Sequence, residues 1–203
     1  MNKSLVLLSG GVDSTVALDI ITRLGHEVTA LSVNYGQIHS RELVAARQVA
    51  VHYAVRHVVV NVDPILFSGS ALTGDRDVPD GHAESPDETY VPGRNTVLLA
   101  LAAARAESIG ADRVVIGANA DDQSAYPDCR RSYIEAFREV LQLGTVNHVW
   151  VSAPLLGMTK REIFEYAAEN RVPLWLTYSC YRGYMEQCGS CGACVSNKEM
   201  MVR

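Results

Sequence analysis

Leu5-Val6-Leu7-Leu8-Ser9-Gly10-Gly11-Val12-Asp13-Ser14-Thr15 is the stretch that decides the fold of this 203-residue chain. Its leading apolar residues predict a short buried strand, its two glycines a tight turn, and residues 14–24 a helix that Gly25 ends in the left-handed conformation. Paired glycines let backbone N–H groups turn inward, and a helix N-terminus adds partial positive charge. Ser9, Ser14 and Thr15 are expected to supply hydroxyl donors around the same cavity. The stretch therefore predicts a pocket for phosphate.

This pocket differs from the common nucleotide-binding loops. A Walker loop requires a lysine after its glycines, and none follows here. A Rossmann fingerprint requires a third glycine where Ser14 stands. Asp13 places a carboxylate beside the phosphate, which is repulsive unless a cation lies between them, so the loop predicts bound Mg²⁺. A plain strand–helix turn capped by Asp13 and Ser14 stays open as the alternative.

The composition limits the class of protein. The chain is 48% hydrophobic and long enough to bury one core, so we expect a single domain over residues 1–203. A formal net charge of −5 argues against broad electrostatic docking on nucleic acid. No apolar run approaches the roughly 18 residues that span a bilayer. We therefore expect a cytoplasmic protein without membrane contact, for which a homodimer stays open.

Strands and helices alternate along the chain. Apolar runs predict further strands at residues 28–33, 58–62, 113–116, 148–151 and 174–177. Amphipathic and alanine-rich patterns predict helices at residues 40–54, 95–109, 132–143 and 159–170. This alternation is typical of an α/β fold with a Rossmann-like, doubly wound parallel sheet that helices cover on both faces.

The segment from Asp63 to Gly93 interrupts this alternation. It is rich in Gly, Pro, Asp and Ser, and only residues 65–67 offer an apolar anchor. A connection of this length in a compact domain is either a functional loop or disordered. We expect a partly mobile lid, and disorder stays open.

Polar residues cluster where the predicted strands end, and ligands of open parallel sheets bind beyond the carboxyl ends of the strands. The candidates after the second strand are Tyr35, Gln37 and His39. The candidates after the fourth are Asn119, Asp122, Ser124, Tyr126, Asp128 and Arg130. Two more precede the alanine-rich helix, Arg94 and Asn95, and Lys160 opens a later helix.

These candidates have both chemical and plain structural interpretations. Arg94 can bind a carboxylate or a phosphate in bidentate fashion, and the amide of Asn95 can read the edge of a heterocycle. Asp122 and Asp128 can hold Mg²⁺ or accept hydrogen bonds from amino groups, and Lys160 can place a cation on phosphate. A helix cap at Asn95, exposed cations at Arg94 and Lys160, and turn formation by the two aspartates stay open as alternatives.

Four of the five cysteines lie near the C-terminal end, at Cys180, Cys188, Cys191 and Cys194. In a chain expected to be cytoplasmic, such crowding indicates metal rather than disulfides. Four thiolates satisfy Zn²⁺ as a closed tetrahedral site, so residues 178–203 predict a zinc-binding tail within the domain. An iron–sulfur cluster and redox thiols stay open. Cys129 is isolated, and we interpret it as structural, with a sulfur-carrying role open.

The loop Ser9-Gly10-Gly11-Val12-Asp13-Ser14 resembles the SGGxDS loop of the PP-loop ATP pyrophosphatases, which split ATP between its α- and β-phosphates and adenylate a substrate oxygen. Further blocks narrow the resemblance: NYGQIHSRE, GSALT, TYVPGRNT, GANADDQSAYPDCR, PLLGMTKREI and TYSCY followed by CGSCGAC. In this order, over nearly the whole chain, they are similar to the 7-cyano-7-deazaguanine (preQ0) synthase family, often called QueC or ExsB.

This resemblance implies an ATP-dependent carbon–nitrogen ligase. The family makes 7-cyano-7-deazaguanine from 7-carboxy-7-deazaguanine, ammonia and two ATP, through adenylated intermediates, and releases AMP and pyrophosphate. A related amide ligase, which transfers the same acid to another amine such as a protein terminus, stays open. So do a tRNA-sulfurating or tRNA-lysidine enzyme, against which the acidic charge balance argues, and a non-catalytic zinc module that senses nucleotide.

The resemblance also implies roles for individual residues. It places ATP on the loop formed by Leu8, Ser9, Gly10, Gly11, Val12, Asp13, Ser14 and Thr15. It implies catalytic roles for Asp13, Ser14, Arg94, Asp122 and Lys160. It implies a joint ATP and substrate cavity lined by Tyr35, Gln37, His39, Arg94, Asn95, Asn119, Asp122, Ser124, Tyr126, Asp128 and Arg130. It implies zinc on Cys180, Cys188, Cys191 and Cys194.

The chain departs from the family pattern in three places. Asn34 and Ile38 stand where the pattern has Asp and Arg. Seven residues separate Cys180 from Cys188, one fewer than usual, and nine residues follow Cys194, where the pattern has a longer final helix. The acceptor amine, the source of the ammonia and the oligomeric state therefore stay open on sequence.

Overall fold

Five parallel strands form the sheet of the described chain. The computed structural model describes residues 2–37, 41–74, 77–81 and 89–201. The strands are Lys3–Leu7 (β1), Glu27–Asn34 (β2), Arg56–Asn61 (β3), Arg113–Val115 (β4) and Trp150–Ser152 (β5). Their order across the sheet is β3-β2-β1-β4-β5, and every pairing is parallel. The predicted Rossmann-like, doubly wound sheet is confirmed.

Helices cover both faces of this sheet. They are Val12–Arg23 (α1), Arg41–His52 (α2), Arg94–Ser108 (α3), Asp122–Ala125 (α4), Arg131–Gly144 (α5), Lys160–Glu169 (α6) and Gly192–Met201 (α7). The core on one face contains residues of α1, α2 and α6, and the core on the other contains residues of α3 and α5. No helix within the described ranges combines the length and the apolar character needed to cross a membrane.

The central strand shows why the opening stretch is continuously apolar. Leu5 and Leu7 belong to the core that α3 and α5 cover, whereas Val6 and Leu8 belong to the opposite core. All four side chains are buried. A strand covered on both faces needs apolar residues at every position rather than at alternate ones. The run therefore places β1 in the middle of the sheet, where the following turn emerges at the carboxyl edge.

Two local predictions are wrong. Residues 174–177 do not form a strand, because Pro173 lacks a donor for a ladder and Leu174–Leu176 forms a 3₁₀ turn that leaves Trp175 exposed. Asn95 does not cap α3. Gly93 occupies the cap position at a φ of 63°, and Asn95 lies buried in the first turn.

The segment between β3 and α3 is packed where the structure describes it. Pro64–Phe67 and Ala71–Thr73 form 3₁₀ turns. Phe67 is buried and meets Tyr35 edge to face, with ring centroids 5.1 Å apart. Residues 75–76 and 82–88 lie outside the described residues. The connection is therefore anchored at the carboxyl end of β2, and its role as a lid stays a prediction.

A buried carboxylate joins α1, α6 and the residue that follows α2 on one face of the sheet. Asp19 of α1 is 2% exposed, and its oxygens accept hydrogen bonds from Tyr53 Oη and Tyr166 Oη, each at 2.9 Å. Arg23 Nε donates to the same carboxylate at 2.7 Å, and Arg23 Nη2 donates to the carbonyl of Asn170 at 2.6 Å. These bonds connect α1 to the residue just after α2 and to α6.

Replacing Asp19 with asparagine is expected to lower the free energy of unfolding by about 3 kcal/mol, because an amide cannot accept from all three donors and leaves Arg23 without its counter-charge. Urea denaturation at pH 7 measures this change. Tyr166→Phe removes one neutral donor and serves as the matched comparison, with an expected loss of about 1 kcal/mol. An Asp19→Asn loss no larger than the Tyr166→Phe loss would contradict the central place of the carboxylate.

Candidate functional site

A cavity of about 520 Å³ opens at the carboxyl ends of β1, β2 and β4. Many of the residues predicted from the sequence line it, namely Leu8, Ser9, Gly11, Val12, Asp13, Ser14, Tyr35, Gln37, Arg94, Asn95, Asp122, Tyr126 and Lys160. The predicted gathering of polar side chains at one rim of the sheet is confirmed. It follows from the topology, because the carboxyl ends of parallel strands meet at the same edge.

The turn after β1 depends on two glycines, one within the turn and one that packs against it from the end of β4. Gly10 has a φ of 91°, and a Cβ atom there would lie 2.7 Å from the backbone N of Ala46 in α2. Gly117 follows β4, and a Cβ atom there would lie 3.1 Å from the backbone N of Ser14. The absence of both side chains lets the first turn of α1, whose N–H groups lack helical acceptors, border the cavity.

The hydroxyl groups of this turn have two different roles. Ser9 Oγ and Ser14 Oγ lie 3.0 Å apart, and both residues line the cavity. Ser14 Oγ also accepts a hydrogen bond from the Ser9 N–H at 3.2 Å. Thr15 is fully buried and donates to the carbonyl of Gly11 at 2.9 Å, so the prediction that its hydroxyl lines the cavity is wrong. Thr15 instead stabilises the shape of the turn.

Asp13 and Lys160 form an ion pair between the first turns of α1 and α6, and each side chain is 24% exposed. Lys160 Nζ contacts Oδ2 of Asp13, whereas Oδ1 is buried and has no hydrogen-bond partner among the described residues. Burial disfavours the ammonium group, but Asp13 and Asp122 outweigh this effect and raise the pKa of Lys160. The pair keeps Lys160 charged and leaves one carboxylate oxygen available to a ligand.

Asp122 supplies a second carboxylate near this pair. Its Oδ2 accepts a hydrogen bond from Asn119 Nδ2 at 2.7 Å, and its backbone N donates to Asn119 Oδ1 at 3.0 Å. Burial raises the pKa of Asp122; Lys160 opposes this effect and the charge of Asp13 adds to it. Two carboxylates that repel each other, one with an unpartnered buried oxygen, are a donor set that fits Mg²⁺.

Arg94 is a further, half-buried cation of the cavity. Its Nη1 donates to Tyr35 Oη at 3.5 Å. Burial disfavours the charged guanidinium, but Tyr35 and Asp128 outweigh this effect and raise the pKa of Arg94. The loop that carries Asp128 is tied to α3, because the backbone N of Asn95 donates to Asp128 Oδ2 at 3.0 Å. The cavity therefore presents a permanent cation at this position to any acceptor on a ligand.

The four clustered cysteines bring their sulfurs within 4.8 Å of one another. Cys188 Sγ and Cys194 Sγ are 3.9 Å apart. A tetrahedron with zinc–sulfur bonds of about 2.3 Å has edges of about 3.8 Å, which is close to this spacing. Burial opposes ionisation, but the N–H groups of Cys191 and Ser190 outweigh it and lower the pKa of Cys188 to about 6. The donor set fits one thiolate-bound ion better than a cluster in which each cysteine takes a separate iron.

The C-terminal part that holds these cysteines, residues 178–201, is called the cysteine module below. The N–H of Tyr178 donates to the carbonyl of Gly10 at 2.9 Å, which attaches the module to the glycine turn. Arg182 Nη2 donates to Asp80 Oδ1 at 2.9 Å, which attaches it to the described part of the long connection. Because Tyr178 also lines the cavity, the cysteine module forms part of the cavity wall.

Comparison with known proteins identifies the family. The model described as Queuosine biosynthesis protein QueC matches residues 3–202 of this chain. The chain belongs to the QueC family. A curated relative named 7-cyano-7-deazaguanine synthase from Thermoplasma acidophilum is 45% identical over 201 residues, which are 95% of this chain and 84% of the relative. One of the same name from Ralstonia nicotianae is 46% identical over 202 residues, which are 95% of this chain and 90% of the relative.

Solved structures share the fold at lower identity. The NMN synthetase of Francisella tularensis aligns with a TM-score of 0.58 at 16% identity, over 93% of this chain and 71% of that one. The U34-tRNA thiolase NcsA of Methanococcus maripaludis with its [4Fe-4S] cluster aligns with a TM-score of 0.57 at 19% identity, over 91% and 63%. At these identities the likeness shows that this QueC-family chain has the same α/β fold.

Some residues that sequence reasoning placed at the cavity of this QueC-family chain do not line it: Gly10, Thr15, Asn119, Ser124, Asp128 and Arg130. Gly10 is turned toward α2. Asn119 and Asp128 are buried, and their polar atoms hold the neighbouring residues Asp122 and Asn95. These two predictions of direct lining are corrected, because hydrogen bonds within the protein already occupy both side chains.

Ser124 and Arg130 are exposed and face other groups. Ser124 Oγ donates to the carbonyl of Asp121 at 3.2 Å, and Arg130 Nε donates to the carbonyl of Gln123 at 3.3 Å. Both bonds are local, which is why the side chains do not extend into the cavity. His39, predicted to bind substrate, lies outside the described residues.

Sequence reasoning also missed residues that line the cavity in this QueC-family chain, namely Glu42, Thr89, Tyr178, Ser179, Tyr181, Ser196 and Asn197. Glu42 had a local signal, because it is an acidic residue in the first turn of the helix that follows β2. The members from the cysteine module had none, since they reach the cavity only through the tertiary fold.

Glu42 has an unusual protonation behaviour. Burial raises the pKa of its carboxyl group to about 7, although Arg94 opposes this effect. An acid whose pKa is raised by folding stabilises the protein fully below its ordinary pKa near 4.5, and this stability is lost as the pH rises toward 7. The stability of the protein should therefore fall over that range because of Glu42.

Glu42→Gln is expected to remove this loss and to make the protein more stable than wild type at pH 8 by about 2 kcal/mol. One pKa unit is worth about 1.4 kcal/mol, and the figure is reduced because the cavity is open to solvent. Urea unfolding of both proteins at pH 4.5 and pH 8 measures the difference, in which contributions of all other groups cancel. Equal pH dependence in the two proteins would contradict the raised pKa.

Proposed function

We propose that this QueC-family chain is an ATP-dependent carbon–nitrogen ligase that converts 7-carboxy-7-deazaguanine and ammonia to 7-cyano-7-deazaguanine. The observation that carries this proposal is the cavity itself, in which the glycine turn, the Asp13–Lys160 pair and Arg94 border one space. Backbone donors, two cations and an available carboxylate oxygen are the groups that a triphosphate and an acidic heterocycle require. The names of the curated relatives supply the substrate class.

In this proposal the phosphates of ATP bind against the glycine turn. The N–H groups of the first turn of α1 and the hydroxyls of Ser9 and Ser14 bind phosphate oxygens. Asp13 and Asp122 would hold Mg²⁺, which neutralises phosphate charge when it is bound. Lys160 stabilises the negative charge that develops on the leaving pyrophosphate.

The first activation makes the acid reactive toward ammonia. A carboxylate oxygen forms a bond to the α-phosphorus of ATP, the bond from that phosphorus to the bridging oxygen breaks, and the electron pair leaves with pyrophosphate. Ammonia then forms a bond to the carbonyl carbon. The bond from this carbon to the oxygen of AMP breaks, a proton leaves the nitrogen, and a primary amide remains. The protein contributes by orienting the reactants and stabilising charge.

The second activation removes the amide oxygen. This oxygen attacks the α-phosphorus of a second ATP, and pyrophosphate leaves as before. Cleavage of the carbon–oxygen bond to AMP and loss of the two remaining protons on nitrogen then form the nitrile. One cavity can serve both steps, because each joins an oxygen on the same carbon to the α-phosphorus of one ATP molecule.

The cysteine module is proposed to hold Zn²⁺ as a structural site. Four thiolates close the tetrahedron and leave no position for a substrate. When bound, the ion would cross-link a segment that touches the glycine turn through Tyr178 and the long connection through Arg182. Its contribution is therefore to hold the cavity wall together.

Incubation with 7-carboxy-7-deazaguanine, ammonium and MgATP tests the proposed function. We expect the nitrile by mass spectrometry, with one AMP and one pyrophosphate for each of the two activations. Formation of ADP and orthophosphate without AMP would overturn the proposal. If AMP is released with ammonium but neither the nitrile nor the primary amide forms, and an amide forms only when another amine is supplied, the protein is the related amide ligase instead.

A further inference from the structure

Glu42 presents to the cavity a carboxylate that has no partner among the residues described by the structure. It lies in the first turn of α2 and lines the cavity together with Tyr35 and Arg94. Within the described part of the chain no side chain or backbone donor binds its carboxylate, and no ion pair joins it to Arg94 within 4.0 Å. A shielded acid without donors is costly unless a ligand provides them.

Arg94 provides the complementary chemistry at a distance. Its guanidinium carries donors only, and its charge acts on Glu42 without contact. The cavity lining therefore includes both a pair of acceptor oxygens and a set of donors, and no ion pair within 4.0 Å joins the two among the described residues. A flat ring with two neighbouring donors and one acceptor on its edge would satisfy both groups at once.

We propose that Glu42 binds the amidine edge of the substrate ring and so sets the specificity for a guanine-type base; this inference rests on the proposed function. The ring N1–H and the 2-amino group donate to the two oxygens of Glu42, which is the bidentate geometry that strengthens a charged hydrogen bond. The ring carbonyl accepts from Arg94. The 7-carboxylate of the same ring is then left to meet the α-phosphorus of ATP.

The adenine of ATP matches this pair of residues less well. The corresponding edge of adenine carries one amino donor and one ring nitrogen that accepts. Two ring donors favour the ionised form of Glu42, and in that form the carboxylate accepts only and would face the lone pair of the adenine nitrogen. Arg94 donates only and would face the amino group. The arrangement of donors and acceptors therefore favours the deazaguanine ring over adenine.

Steady-state kinetics of Glu42→Gln test the inference, with the acid and with an analogue of it that lacks the 2-amino group. Glutamine keeps the shape but points an N–H group at one ring donor. We expect the KM for the acid to rise about 100-fold while kcat and the KM for ATP stay within about 3-fold. The preference of wild type for the acid over the analogue, about 100-fold or more, should fall below about 5-fold.

Two further variants complete the design. Glu135→Gln, at an exposed position of α5, is the matched control and should behave as wild type. Glu42→Asp keeps the charge but withdraws it by one methylene, so it should retain the preference for the 2-amino group at a higher KM. If Glu42→Gln does not fold, Glu42→Asp serves as the test instead. An unchanged KM for the acid in Glu42→Asp would overturn the inference.

The possible results separate this inference from the proposed function. An undiminished preference in folded Glu42→Gln, with wild type converting the acid, would overturn the role of Glu42 alone. A rise in the KM for ATP instead of the acid would place adenine at Glu42 and also overturn it. Failure of wild type to release AMP with the acid would overturn the proposed function, and the inference with it.

Discussion

Asp13→Asn is expected to lower the rate of AMP release about 1,000-fold, because it removes the carboxylate that faces Lys160 and the oxygen available to Mg²⁺. The loss should appear in kcat with little change in the KM for the acid. Stability should fall by only about 1 kcal/mol, because the pair is partly exposed and Asp122 still compensates Lys160. Single-turnover AMP formation and urea denaturation measure the two quantities.

Asp112→Asn is the matched control for this variant. Asp112 is exposed and precedes β4, at the edge of the sheet opposite the cavity, so activity and stability should both stay at wild-type values. Raised Mg²⁺ concentration should recover part of the Asp13→Asn activity if the remaining ligands bind the ion weakly. A folded Asp13→Asn protein that releases AMP at the wild-type rate would show that the ion pair has no part in the chemistry.

Cys191→Ser is expected to reduce bound metal and stability together. Cys191 is fully buried, and a hydroxyl is a poor replacement for a thiolate as a zinc ligand. Because metal binding is linked to folding, we expect the free energy of unfolding to fall by about 4 kcal/mol, which lowers the melting temperature by about 12 °C for a domain of this size. Elemental mass spectrometry and calorimetry on the same preparation measure both changes.

Cys129→Ser controls for the chemistry of the substitution itself. Cys129 is also buried, but it lies outside the cysteine cluster and beside Asn95, whose Nδ2 donates to its sulfur at 3.4 Å. This variant should keep one metal ion per chain. A Cys191→Ser protein that lacks metal yet melts at the wild-type temperature would rule out a structural role for the ion.

The parallel sheet and the glycine turn could be predicted because their signals are local. A continuous apolar run has only one stable place in an α/β domain, which is a strand covered on both faces. Gly10 follows that run at the point where the backbone takes a φ of 91°, a conformation that favours glycine. The sequence alone therefore predicted the position of the turn. The spacing of the three last cysteines was equally local, since neighbouring thiolates in one turn of chain can reach the same ion.

The errors arose where hydrogen bonds of the folded chain, some local and some between distant segments, override the preference of a single residue. Asparagine is a common helix-capping residue. In the structure, however, Asn95 lies in the first turn of α3, where its backbone N donates to Asp128, and Gly93 takes the cap position. Thr15 resembles a phosphate ligand, yet it donates to Gly11 and lies fully buried. Each local preference is worth about 1 kcal/mol, which a few buried hydrogen bonds exceed.

By itself the amino-acid sequence determined the parallel α/β sheet, the phosphate-type turn at its carboxyl edge and the four-cysteine cluster, because hydrophobic periodicity, glycine conformation and ligand spacing act over a few residues. Only the tertiary structure decided that Lys160 pairs with Asp13, that Glu42 lines the cavity, and that the cysteine module touches the glycine turn. These relations join residues far apart in the chain, and packing of the whole domain fixes them.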